Sequence, residues 1–178
     1  MKRAFTILTI TASLLYSALA WAHSPIYEKM GVVPPRTEKA APLFTLENMQ
    51  GQTVQFDQYF GKPLLLHFWA TWCVPCREEL PALQKLYESI DRNNLEIVAI
   101  NIDRGNRDRV EEYIAEMGLT FPMLLDPNQK VRRNYYINGL PTSYLIGPDG
   151  TFQGFISGAR NWNLQDSNAL FSLLKSRQ

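Results

Sequence analysis

Residues 64–81 read LLLHFWATWCVPCREELP, and this stretch predicts a buried strand that leads through a cysteine pair into a helix. Residues 64–70 are apolar with one exception and have the length of a buried strand. Apolar residues then recur at helical spacing as far as Ile90, which predicts a helix that begins near the cysteines. Pro75 favours that start, because the first helical turn does not need the N–H group that proline lacks.

Cys73 and Cys76 are the only cysteines of the chain, and their spacing predicts redox chemistry. Cys73 lies at or just before the predicted helix N-terminus, where partial positive charge and free N–H groups favour a thiolate. Cys76 lies on the same turn, close enough to form a disulfide with Cys73. An exposed thiol of low pKa beside a resolving thiol is what thiol–disulfide exchange requires.

A static disulfide and half of a metal site are the other interpretations of this pair. A bridge over two intervening residues closes so small a loop that it restrains the unfolded chain little. A zinc site needs two or more further Cys or His ligands. The only histidines are His23, near a candidate cleavage site, and His67, inside the predicted strand. We therefore expect a redox disulfide, with no metal and no cofactor.

The sequence around the cysteines resembles the thioredoxin superfamily, with Pro81 five residues past the second cysteine. Residues 68–81 are similar to the exported TlpA/ResA-like branch, and residues 139–146, GLPTSYLI, match the cis-proline loop and following strand of that branch. The similarity covers residues 41–174. It implies a thioredoxin-like three-layer α/β sandwich, with a mixed central sheet, helices on both faces and an N-terminal β-hairpin extension.

The remaining chain agrees with this fold, because predicted strands alternate with predicted helices. Its 178 residues suit one domain. In chain order we expect a hairpin within residues 43–56, a strand at 95–102, a helix that ends at Gly118, a strand at 121–124, a turn or helix from 126 to about 136, a hairpin of strands 143–146 and 151–156, and a final helix at 164–174.

The resemblance implies substrate-binding roles for Trp72, Leu140 and Pro141. A cis proline at position 141 would face the cysteine pair, and the backbone of Leu140 would pair with an extended substrate segment. Trp72 flanks the thiol and is interpreted either as a docking surface for the substrate or as ordinary core.

Glu79 and His67 are candidate proton carriers. Glu79 shares a helix face with Cys76, and the family places an acidic residue there. A partly buried carboxylate would have a raised pKa and could move the Cys76 proton; the alternative is a surface charge. His67 departs from the family, which carries aspartate or asparagine at this position. It is either a neutral imidazole bonded within the core or a relay partner that titrates near its ordinary pKa of about 6.5.

Residues 1–22 resemble an export signal, with Lys2 and Arg3 before an apolar segment and candidate cleavage sites at Ala20 and Ala22. We expect residues 23–40 to be a linker or tail and residues 41–178 to form the thioredoxin-like domain. These features predict a periplasmic protein. An uncleaved membrane anchor is the alternative, although the apolar segment is marginal for a span of about 20 residues.

The expected function is an exported thiol:disulfide oxidoreductase that reduces specific periplasmic protein disulfides. The resemblance implies disulfide-bearing exported substrates, a membrane thiol electron donor and cytochrome c maturation as one candidate process. The net charge of +1 and the absence of a basic cluster argue against nucleic acid, and we expect a monomer. The alternatives are a peroxiredoxin-like peroxidase, whose Thr-x-x-Cys pattern is broken here by Ala70, and a non-enzymatic interaction module that carries a disulfide.

Overall fold

The computed structural model describes residues 24–105 and 107–175 of the chain. The strands are β1 (Thr45–Asn48), β2 (Thr53–Gln55), β3 (Leu64–Trp69), β4 (Glu96–Asn101), β5 (Met123–Leu125), β6 (Thr142–Ile146) and β7 (Phe152–Ser157). The helices are α1 (Pro25–Met30), α2 (Val74–Ser89), α3 (Arg107–Glu116), α4 (Lys130–Asn134) and α5 (Leu164–Lys175), with a 3-10 turn at Phe56–Tyr59.

The strands form one mixed sheet in the order β2-β1-β5-β4-β3-β6-β7. β3 lies near the middle, parallel to β4 and antiparallel to β6. β1 and β2 form the predicted N-terminal hairpin, which joins the sheet through β5. The α/β fold with a mixed central sheet is therefore confirmed.

β3 is buried along its whole length, because strands pair with it on both sides and the sheet faces around it are covered. The parallel β4 is buried throughout in the same way. Because β3, β4 and β5 run in the same direction, their carboxyl ends meet at one edge of the sheet. The loops that follow these strands, and the loop that enters β6, therefore gather at that edge.

The segment before the hairpin corrects one sequence expectation. The sequence predicts a linker or tail at residues 23–40, but the described part of this segment, residues 24–40, packs against the domain. α1 buries Tyr27 and Met30, Val33 pairs with Phe155 in β7, and Ala40 pairs with Thr151. The sequence of this segment does not predict these contacts, because the few apolar residues that make them lie among prolines and charged residues.

The predicted export signal, residues 1–22, and His23 lie outside the described residues. Within the ranges 24–105 and 107–175, the structure contains no helix that is both long and apolar enough to cross a membrane.

Candidate active site

Cys73 and Cys76 form a disulfide at the point where β3 ends and α2 begins. Their Cα atoms are 5.3 Å apart. Cys73 is the N-cap of α2, and its sulfur accepts a hydrogen bond from the backbone N–H of Cys76 at 3.2 Å. The same N–H group would stabilise a thiolate on Cys73 after reduction, because it points at the sulfur from the positive end of the helix.

The disulfide is less accessible than the sequence analysis expected. Cys73 is 5% exposed and Cys76 is fully buried, so the prediction of an exposed thiol is wrong for the oxidised protein. The neighbouring side chains take the solvent-facing positions instead: Trp72 and Val74 are each 58% exposed. Trp72 is therefore not a core residue, and an apolar surface lies beside a sulfur that offers only a small area.

The loop that carries Trp72 is fixed by Asp103, a residue that the sequence analysis did not identify. The backbone N–H and the hydroxyl of Thr71 both donate to the Asp103 carboxylate, at 2.8 Å and 2.7 Å. Asn101, at the end of β4, donates to the same carboxylate at 2.7 Å. The sequence signal that could have identified Asp103 is the Asn-x-Asp motif at the end of a buried parallel strand, where polar groups gather at the sheet edge.

The proline loop enters the site from β6. The peptide bond between Leu140 and Pro141 is cis. Thr142, the next residue, pairs with Phe68 of β3, so Pro141 lies at the edge where β3 continues towards the cysteines. The backbone N–H of Gly158 donates to the Pro141 carbonyl at 2.9 Å, and Leu140 is half-buried.

Glu79 is buried on α2, one turn beyond Cys76, and is only 3% exposed. Its Oε1 accepts hydrogen bonds from the backbone N–H of Arg160 at 3.0 Å and from the indole of Trp162 at 2.5 Å. Burial raises the pKa of Glu79 to about 7, although these two hydrogen bonds oppose the shift. The structure therefore favours the buried carboxylate over the surface charge.

His67 is fully buried in β3, between Ser143 and Glu79. Its Nδ1 lies 2.9 Å from the Ser143 hydroxyl, and its Nε2 lies 3.9 Å from Glu79 Oε2. Burial lowers the pKa of His67 to about 3, which favours the neutral imidazole bonded within the core over the relay partner that titrates near 6.5. The imidazole is neutral at the pH at which Glu79 changes its charge.

Ser143 and Trp162 were missed by the sequence analysis. Ser143 lies directly opposite His67 in the antiparallel pairing of β3 with β6, a register that no local pattern reveals. Trp162 reaches Glu79 from a loop that precedes α5. In the part of the chain that the structure describes, no group of three or more His, Cys, Asp or Glu side chains could hold a metal ion.

Several known bacterial proteins are similar to this chain, and residues 37–154 match the AhpC/TSA family. The thiol-disulfide oxidoreductase ResA of Oceanobacillus iheyensis is 41% identical over 128 residues, 70% of this chain and 66% of that protein, slightly less than two thirds of its length. ResA of Geobacillus thermodenitrificans is 33% identical over 158 residues, 89% of this chain and 87% of that protein.

A solved structure with a similar fold supports the same family assignment as the sequence matches. The crystal structure of StoA from Bacillus subtilis aligns with a TM-score of 0.63 at 28% identity, covering 71% of this chain and 96% of that one. The cysteine pair that a thiol-disulfide oxidoreductase requires is present and oxidised. The chain therefore belongs to the AhpC/TSA family of the thioredoxin superfamily, within its ResA-like branch of thiol-disulfide oxidoreductases.

Proposed function

We propose that this oxidoreductase works as a reductant of specific exported proteins, with Cys73 as the attacking thiol and Cys76 as the resolving thiol. The observation that carries this proposal is the position of Cys73 at the N-cap of α2, where the Cys76 N–H donates to its sulfur. The complete burial of Cys76 supports the division of roles, since only Cys73 offers any area to a substrate.

The reaction transfers two electrons from the dithiol to a substrate disulfide. The Cys73 thiolate attacks one substrate sulfur, a mixed disulfide forms, and the other substrate sulfur leaves as a thiolate. Cys76 then loses its proton and attacks the Cys73 sulfur. This step forms the Cys73–Cys76 disulfide and releases the second substrate thiolate. The oxidised enzyme must next be reduced by an external thiol donor.

Glu79 is the proposed acceptor of the Cys76 proton during resolution. It lies three residues beyond Cys76 and therefore on the same face of α2. A general base works best when its pKa lies near the working pH, and burial raises the pKa of Glu79 to about 7. Its Oε1 is occupied by Arg160 and Trp162, so Oε2 is the oxygen that would take the proton.

His67 is proposed as the residue that positions Glu79 and adapts to its charge. A neutral imidazole carries one proton, on either Nδ1 or Nε2. When Glu79 is ionised, a proton on Nε2 faces Oε2 while the Ser143 hydroxyl donates to Nδ1. When Glu79 is protonated, Nδ1 can donate to Ser143 instead and leave Nε2 without a proton. The 2.9 Å contact with a rotatable hydroxyl accommodates both arrangements.

The substrate surface is proposed to combine Trp72, Val74 and the loop at Leu140 and Pro141. Trp72 and Val74 offer exposed apolar area beside the disulfide. The Leu140 backbone would pair with an extended segment of the client, which is a short form of strand addition. Proteins with an accessible, locally unfolded disulfide fit this surface better than compact folded ones.

The direction of electron flow, the compartment and the donor are also parts of this proposal. Val74 and Pro75 place neither charge nor histidine between the cysteines, which favours a reductant. The apolar segment in residues 1–22 supports export to the periplasm, where a membrane thiol transporter would supply electrons to a monomer. Cytochrome c maturation is the candidate process.

Equilibration against glutathione tests the direction. We expect a reduction potential well below that of a strong oxidant, which lies at about −120 mV, and a value near that figure would contradict the proposal.

Peroxide reduction at Cys73 alone is the alternative, and the site argues against it. Ala70 occupies the position three residues before the thiol, and the Thr71 hydroxyl donates to Asp103 instead of facing a peroxide. An insulin-reduction assay with a parallel peroxide-consumption assay separates these activities. Rapid insulin reduction with slow peroxide consumption supports the proposal, the reverse result supports the peroxidase, and failure of both supports the non-enzymatic module.

A further inference from the structure

Two arginines converge on one amide oxygen at the sheet edge that carries the disulfide. Arg104 Nη2 lies 3.1 Å and Arg132 Nη1 lies 2.9 Å from Oε1 of Gln129. Gln129 is itself buried, and its Nε2 donates to the carbonyl of Ile102, so the amide is held in place. Two positive charges thus face one neutral oxygen.

This arginine pair, Arg104 and Arg132, lacks a carboxylate partner within the described residues. The side-chain ion pairs found in residues 24–105 and 107–175 involve other cations. Arg132 Nε is also buried without a hydrogen-bond partner in that part of the chain. Because like charges repel each other, such a pair is stabilised by an anion that bridges the two guanidinium groups.

The acidic groups nearest in sequence are already engaged. Asp103 accepts hydrogen bonds from Thr71 and Asn101. Asp126 is buried and accepts the backbone N–H groups of Lys130 and Arg132. Neither carboxylate lies within ion-pair distance of the arginine pair, so the positive charge at this edge is not neutralised internally.

The arginine pair is connected to the active-site loop through a short series of contacts. Arg104 follows Asp103, which holds Thr71 one residue before Trp72. The backbone N–H of Ile102 donates to the Trp69 carbonyl at 3.0 Å, and Ile102 also receives the Gln129 amide. The positive charge therefore lies at the same edge as Cys73.

We propose that Arg104 and Arg132 bind a carboxylate side chain of the protein substrate, so that disulfides flanked by Asp or Glu are preferred. The inference rests on the proposed reduction at Cys73. Guanidinium groups form charge-assisted, geometrically specific hydrogen bonds with carboxylates. Complementary charge at the rim of an interface raises the association rate and selects among partners.

Two model peptides test the preference. Each contains one internal disulfide, and they differ only in flanking residues, Asp-Glu in one and Asn-Gln in the other. With the wild type we expect kcat/KM to be about tenfold higher for the acidic peptide, and this difference should shrink at high salt. Arg104→Gln and Arg132→Gln should each lower the rate for the acidic peptide by a larger factor than the rate for the neutral peptide, so that the ratio of the two rates falls towards one.

Arg92→Gln is the matched control, because it removes the same charge from an exposed arginine that stacks over Tyr87 away from this edge. Equal rates for the two peptides in the wild type, or an equal loss in Arg92→Gln, would overturn the inference. Reduction of the neutral 2-hydroxyethyl disulfide reports separately on the reaction at Cys73. Calorimetric binding of the same peptides with serine in place of cysteine tests the arginine pair even if no turnover occurs.

Discussion

His67 Nε2 and Glu79 Oε2 face each other at 3.9 Å in the interior, and neither atom has a hydrogen-bond partner among the described residues. Their other ends are held, since Ser143 contacts His67 and Trp162 contacts Glu79. Burial moves the pKa of the carboxyl group up and that of the imidazole down, so both groups favour their neutral forms. This relationship makes opposite predictions for variants of the two residues.

The free energy of unfolding should change with pH in opposite directions in Glu79→Gln and His67→Asn. Burial raises the pKa of Glu79 from 4.5 to about 7, so its contribution to stability is lost as pH rises through that range. Burial lowers the pKa of His67 from 6.5 to about 3, so its contribution is lost as pH falls through that range. In the wild type the two effects oppose each other where the ranges overlap.

Each single variant leaves one slope, of up to about 1.4 kcal/mol per pH unit. His67→Asn should lose stability as pH rises above about 4.5, up to a Glu79 pKa below the wild-type value of about 7, and Glu79→Gln should gain stability as pH rises from about 3 to 6.5. Denaturant unfolding of the oxidised protein measures this, because its bonded cysteines do not titrate. Glu78→Gln, at the exposed neighbouring position, is the control. Parallel slopes in the two variants would contradict the assignment.

The rate of the resolution step should rise with pH as the Glu79 carboxylate becomes available near pH 7. Glu79→Gln should remove this rise and slow reduction by about 100-fold. His67→Asn should keep the rise but move it to lower pH, because the smaller side chain reduces the desolvation of Oε2. Stopped-flow single turnovers with prereduced protein provide the profiles. A profile in Glu79→Gln that matches the wild type would exclude the carboxylate as proton acceptor.

The two cysteines should behave differently when replaced one at a time. Cys73→Ser should abolish disulfide reduction, because no other described thiol offers exposed area. Cys76→Ser should accumulate a mixed disulfide between Cys73 and the substrate, since the resolving thiol is absent. Non-reducing electrophoresis with mass spectrometry of the trapped species measures this and identifies natural clients. A substrate trapped on Cys76 in the Cys73→Ser variant would reverse the assignment.

Asp103→Ala should destabilise the loop that carries Trp72, although it changes neither cysteine. The change removes the acceptor for both Thr71 donors and leaves the Thr71 N–H unsatisfied. We expect a loss of about 1–3 kcal/mol in the free energy of unfolding and a clear fall in kcat/KM for a protein substrate. Asp108→Ala, on the exposed first turn of α3, is the control for removal of one negative charge. Equal activity of the two variants would show that the Asp103 contacts do not support the loop.

The elements around the cysteines could be predicted because local patterns determine them. The apolar run before Cys73 and the proline in the first turn of α2 predict the strand and the helix start that the structure contains. The burial of Cys73, which is 5% exposed, could not be predicted, because it depends on how the loops at this end of the sheet pack around the sulfur. Local sequence predicts the backbone of such a site more reliably than the exposure of its side chains.

The surroundings of His67 and Glu79 depend on contacts between distant residues. The partners of Glu79 come from a loop 81 and 83 residues further along the chain, and no periodic pattern indicates such contacts. The lowered pKa of His67 also depends on distant residues, because the sheet and helices must assemble before the imidazole is completely buried. The packing of residues 24–40 is not evident from the sequence, because a few contact residues, such as Tyr27, are enough to dock a proline-rich segment.

The pairing of Val33 with Phe155 covers part of a sheet border that would otherwise be open to another extended chain. An open sheet border is a template for any extended polypeptide, including the locally unfolded clients proposed above. Here the β7 border is occupied by the protein's own N-terminal residues, and the opposite border is the three-residue strand β2. The strand addition proposed at the loop beside the sulfurs therefore meets little competition from the sheet borders, and a client bound at that loop would arrive where its disulfide can react.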